Sequence, residues 1–109
     1  MSEPRPASGL LVSSLLRRVN GEGGHGAVLS RGDATAGAIL LILADRGVTR
    51  QLVERGLSPD GSYGWVPAGP KSIDDSAALA DYLDRRRRND PDLWVVELDA
   101  PPALLADIG

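Results

Sequence analysis

The sequence predicts an α+β domain: an antiparallel sheet of about five strands with two helices packed on one face, in the order α-β-β-β-β-α-β. Three observations predict it. Apolar residues recur at helical spacing near the start of the chain and again after residue 72. Between these stretches lie short β-rich runs broken by Gly-, Asp- and Pro-containing turns. A last apolar run follows the second helical stretch. The 109 residues suffice for one core, so the expectation is an N-terminal arm over 1–8 and a single domain over 9–109.

The first helix spans about 9–20. Leu11, Val12, Leu15, Leu16 and Val19 share one face. Ser8 can cap its start, Gly21, Gly23 and Gly24 stop it, and Arg17 and Arg18 suit its C-terminal dipole. His25 to Ser30 reads as a strand, with Ala27 and Leu29 on one face and Gly26, Val28 and Ser30 on the other. A glycine-bounded turn over 31–37 follows. The run Ala38 to Ala44 has the character of a central strand. After Asp45-Arg46-Gly47, Thr49 to Arg55 alternates. Arg50, Leu52 and Glu54 point one way, and Gln51, Val53 and Arg55 the other. Its charge suggests an edge strand. Ser58-Pro59-Asp60-Gly61 is a turn signal, and 62–67 is a short strand. These four strands read as an antiparallel meander.

A linker over 68–71 leads to the second helix. Ser72 and Asp75 resemble a capping box, and Leu79, Tyr82 and Leu83 supply its apolar face. Arg85 to Arg88 close it, and Asn89-Asp90-Pro91 break it. Leu93 to Leu98 is the last strand. Trp94, Val96 and Leu98 face one way, Leu93, Val95 and Glu97 the other. Both faces are largely apolar, so this strand belongs in the sheet interior. Ala103 to Ile108 reads as one helical turn or a frayed tail.

Composition excludes several function classes. There are 12 Lys and Arg against 15 Asp and Glu, a formal net charge of −3, where a nucleic-acid binder is usually basic. No Cys means no disulfide, thiol catalyst or Cys-ligated metal, and a single His excludes the usual multi-His sites. No cofactor or metal is therefore expected. The longest apolar run, 38–44, is too short for a bilayer span of roughly 20 residues. The chain reads as soluble and cytoplasmic, with no membrane partner.

The candidate surface residues each have a plain structural reading beside a functional one. Arg85, Arg86, Arg87 and Arg88 could bind phosphate together with Arg17 and Arg18. Four consecutive helical residues nevertheless spread around the whole circumference, and Asp81, Asp84, Asp90 and Asp92 are at hand as ion-pair partners. Asp90-Pro91-Asp92 offers too few oxygens for a hard cation and suits a helix-to-strand turn. Arg31-Gly32-Asp33 reads as a tight turn in which Gly supplies a positive φ and Asp bonds the backbone ahead. Gly21 to Gly26 follows a helix and feeds a strand, the reverse of a phosphate loop. His25 has no nucleophile at catalytic spacing. Trp65 and Trp94 are core or interface anchors, Trp65 the better candidate for partial exposure.

Four segments carry a family resemblance: Ser13-Ser14-Leu15-Leu16-Arg17-Arg18, Ala27 to Asp33, Ala36 to Leu40, and Arg86 to Glu97 with its Asn89-Asp90-Pro91-Asp92-Leu93-Trp94 centre. Together they resemble the bacterial family known as domain of unknown function 1491, over about residues 9–98. The chain departs from that pattern near Leu11, where a Trp is expected. The resemblance implies a small, stand-alone, cytoplasmic protein of alphaproteobacterial type, with no activity attached. The reading is therefore a non-enzymatic binding or protein-interaction module. A homodimer would cover an open sheet face, and an unidentified protein is the other partner class. The alternative is nucleic-acid or phospho-ligand binding through the arginine clusters. An enzyme using Asp90, Asp92 or His25 is the weakest reading.

Overall fold

The computed structural model describes residues 7–57, 59–70 and 72–108, with the backbone alone at Leu57. Most of the expected arm, Ser58 of the turn and Lys71 of the linker lie outside the described residues. The elements are α1 (Ser8–Gly21), β1 (His25–Ser30), β2 (Ile39–Asp45), β3 (Val48–Leu57), β4 (Tyr63–Ala68), α2 (Ser76–Asn89), β5 (Trp94–Asp99) and α3 (Pro102–Ile108).

The strands form one sheet in the order β1-β5-β2-β3-β4. β2, β3 and β4 make the expected antiparallel meander. β1 does not join it. β5 inserts between β1 and β2, antiparallel to the first and parallel to the second. The sheet is thus mixed rather than purely antiparallel. The long return from β4 through α2 supplies the crossover that a parallel pair requires.

Strict alternation along β2 and β5 builds two cores. Ile39, Leu41, Leu43, Trp94, Val96 and Leu98 meet Val12, Leu15 and Val19 of α1 and Leu105 and Ile108 of α3. Leu40, Ile42, Leu93 and Val95 meet Leu83 of α2, with Ile73 and Leu79 beside it. Helices therefore cover both faces of the sheet. This corrects the expectation of two helices on one face. α3 is a third helix rather than a frayed tail because Leu105 and Ile108 are buried.

Two strands differ from their sequence reading. β3 is interior, not an edge, because β4 pairs along its outer side; of its three charged residues Arg50 is exposed, while Glu54 faces α2 and Arg55 faces the α1 side. In β1 a register shift between Val28 and Ser30 pairs Ser30 with Val95, so Ser30 sits on the Ala27 side.

The helix starts differ too. Ala7, not Ser8, is the N-cap of α1, and no side chain caps it. The first amides of α1 instead donate to loop carbonyls, Ser8 N–H to Thr35 at 3.2 Å and Gly9 N–H to Ala34 at 2.8 Å. In α2 the cap is Asp75, whose carboxylate accepts from the N–H groups of Ala77 and Ala78 at 3.0 and 3.2 Å. Ser72 contributes only its carbonyl, to Asp75 N–H.

Candidate functional site

The turn that begins Arg31-Gly32-Asp33 closes on the start of β5 as a hydrogen-bonded knot. Asp33 N–H donates to the Asp92 carbonyl at 3.0 Å, and the Asp33 carboxylate accepts from Thr35 and Ala36 N–H at 3.1 and 2.8 Å. The indole N–H of Trp94 donates to the Asp33 carbonyl at 2.8 Å. The Ser8 hydroxyl donates to the Gly37 carbonyl at 2.6 Å. Gly32 is required for close approach, not for positive φ: a Cβ there would overlap the Asp92 carbonyl oxygen and the Trp94 ring. Arg31 lies over the Trp94 ring at 5.6 Å. Asp90 and Asp92 form a turn in which the Asp90 carboxylate accepts from Asp92 N–H at 3.1 Å. No cluster of three or more metal-ligating side chains occurs among the described residues.

The arginine clusters do not converge, since α1 and α2 lie on opposite faces of the sheet. Arg18 pairs with Asp107 and Glu22, and these contacts, Asp107 first, raise its pKa. Arg87 pairs with Asp84 at 3.1 Å. Arg86 pairs with Glu54 and donates to the Tyr82 hydroxyl at 2.8 Å. Burial lowers the pKa of Arg86, but its bonds to Glu54 and Tyr82 outweigh that and leave it raised. The buried Glu54 Oε1 has only Arg86 to compensate it among the described residues. Arg17, Arg85 and Arg88 are exposed. His25 opens β1 opposite Asp99, at the far end of β5 from Asp90 and Asp92.

Sequence reasoning missed the more telling constellation. Arg55 stands directly across from Trp65 in the β3–β4 ladder, with Tyr63 two residues along the same face. Its guanidinium lies over both rings, at 5.0 Å from the Tyr63 centroid and 5.4 Å from that of Trp65. Trp65 is half-buried, as its short flanking strand suggested. Three arginines are half-buried among the described residues: Arg55, Arg86 and Arg87. The latter two face carboxylates, whereas Arg55 has no carboxylate or hydrogen-bond partner among the described residues.

Arg55 and Tyr63 form one wall of a groove of about 440 Å³. Ser8, Thr35, Ala36 and Gly37 of the knot form the other, over a floor of Leu11 and Ile39. The groove lies where α1, which packs mainly against β1 and β5, and α3, which reaches β3 near Gln51, leave Arg55 and Tyr63 at the rim of that face. Depressions of about 520 Å³ beside Arg18 and about 500 Å³ beside Arg85 and Arg88 are flatter, and carboxylates line both. The missed signal was available: the alternation of β3 places Arg55 on the face of Val53. Only the hairpin register adds Tyr63 and Trp65.

The family model described as "Protein of unknown function (DUF1491)" matches residues 7–104. The chain is similar to a DUF1491 family protein from Caulobacter crescentus CB15 solved by crystallography. The two are 31% identical over 87% of this chain and 88% of that one, with a TM-score of 0.73. An NMR structure of a DUF1491 family protein from the same organism is 30% identical over 92% and 90% of the two chains, with a TM-score of 0.69. A solution structure of a protein from A. tumefaciens, 30% identical over 90% and 88%, gives 0.68. No curated protein matches the chain. The segments that prompted the resemblance supply Arg31, Gly32, Asp33, Asp92 and Trp94 of the knot and Ala36 and Gly37 of the groove, and the chain belongs to the DUF1491 family, a family of unknown function.

Proposed function

We propose that the protein is a non-catalytic binding module that holds an anionic ligand in the Arg55 groove. One observation carries the reading: a half-buried guanidinium, stacked on two aromatic rings at 5.0 and 5.4 Å, faces a concave surface with no carboxylate partner among the described residues. Desolvating a cation without compensation is costly. A bound anion would supply that compensation.

The groove has the size and mixed lining of a small-molecule site. Its lining offers one cation, the hydroxyl-bearing side chains of Ser8, Thr35 and Tyr63 and backbone groups, with no general base beside a hydroxyl, which favours binding over turnover. The nucleic-acid alternative through the arginine clusters draws less support, because Arg18, Arg86 and Arg87 are already paired and the clusters lie on opposite faces.

The test is a backbone ¹⁵N–¹H spectrum of the full chain titrated separately with benzoate, inorganic phosphate and a short single-stranded DNA. The expected result is saturable shifts at Thr35 to Ile39 and Tyr63 to Trp65 with at least one small anion. Shifts centred on Arg85 to Arg88 with DNA, fading as salt rises, would replace this reading by the alternative.

A further inference from the structure

Resting on the reading that the Arg55 groove takes an anion, we infer that its ligand is a small carboxylic acid: one planar carboxylate on an apolar body. Arg55 sets the first half. The Arg55 guanidinium, its carbon 5.0 and 5.4 Å from the Tyr63 and Trp65 ring centroids, presents its N–H donors as a planar fork. That fork matches the two oxygens of a carboxylate.

A doubly charged phosphate would call for a second cation and amide donors, and beside Arg55 the groove adds only hydroxyls such as that of Thr35. The first two amides of α1, the usual phosphate cradle of a helix start, are bonded to the Thr35 and Ala34 carbonyls. The Ser8 hydroxyl is bonded to the Gly37 carbonyl at 2.6 Å. One cation therefore matches one negative charge.

The floor sets the second half. Leu11 and the edge of Ile39, both of the α1-side core, present apolar atoms beside the cation, and hydrocarbon laid on them leaves water favourably. A volume of about 440 Å³ lies in the lower part of the range for small-molecule sites, about 300–1,000 Å³. A one-ring acid or a short fatty acid fits that description.

The experiment is calorimetry and ¹⁵N–¹H spectroscopy of the full chain with benzoate, hexanoate, benzamide and inorganic phosphate. Benzoate and hexanoate should bind saturably and shift the amides of Thr35 to Ile39, while benzamide and phosphate leave them in place. Arg55→Gln should weaken benzoate by about tenfold to a hundredfold, the worth of charge-assisted hydrogen bonds. Arg55→Lys, which keeps the charge and loses the fork, should fall between. Ala36→Leu at the exposed mouth should block binding with the cation intact, so the result does not hang on how the Arg55 variants fold. Phosphate binding as tightly as benzoate at the same amides would overturn the carboxylate assignment and leave the anion site standing. Benzamide matching benzoate, or no probe moving these amides, would overturn both.

Discussion

Glu54 and Arg55 are neighbours on β3 and end in opposite situations. Glu54 turns toward α2 and meets the Arg86 guanidinium, which also donates to Tyr82. Arg55 turns toward the α1 side and meets two aromatic rings and a groove. The first charge is closed: its partner comes from within the chain and ties a helix to the sheet. The second is open. The two tryptophans repeat the contrast. Trp94 is buried with its indole N–H bound to Asp33 and Arg31 over its ring. Trp65 is half-buried beneath Arg55. Closed groups hold the fold, and the open one is free to hold something else.

The comparison breaks hardest at Trp94. Trp94→Ala removes a core ring and its bond to Asp33, and should cost about 3–5 kcal/mol in chemical denaturation. Trp65→Ala should cost clearly less. Next comes Arg86→Ala, which leaves a buried Glu54 oxygen uncompensated. It should cost about 1–3 kcal/mol, the scale of a hydrogen bond to a charged group, lowered by the partial exposure of both partners. Arg55→Ala removes no ion pair, so its cost should stay below about 1 kcal/mol, the scale of an aromatic–cation contact. Finding Arg55→Ala more damaging than Arg86→Ala would reverse the assignment of closed and open charges.

The smallest effect sharpens the contrast at the β3–β4 turn. Asp60 accepts from the Ser62 hydroxyl at 2.6 Å and from Ser62 N–H at 2.9 Å, and these bonds, the hydroxyl first, hold its carboxyl below the ordinary range. The folded value lies below the unfolded one, so the turn gains stability above about pH 3.9 and loses it as pH falls through the lowered value. A carboxyl ¹³C titration should place the Asp60 midpoint below about 3.9, and Ser62→Ala should move it upward.

Much of the fold was legible because alternation and helical spacing report burial directly. Leu93 to Leu98 announced a covered interior strand, and β3 showed which residues share a face. The mixed sheet was not legible, since an apolar strand reads alike whether its neighbour runs parallel or antiparallel. The helix that covers the second face was anticipated in sequence, with its start set too early at Ser72 instead of the Asp75 cap, but not placed in space, because an amphipathic stripe does not say which side of a sheet it meets. Trp94, Arg31, Asp33 and Asp92 were singled out separately, yet they meet in one knot through backbone bonds that leave no sequence pattern. Arg55 went unnoticed as a site residue because its meaning depends on what stands across the ladder.

The most direct measurement is the arginine side-chain Nε–Hε spectrum of the full chain during addition of benzoate. The expected result is a saturable shift of the Arg55 signal while those of Arg86 and Arg87, held by Glu54 and Asp84, stay in place. An unmoved Arg55, or equal movement of Arg86 and Arg87, would contradict the division between an open and a closed charge.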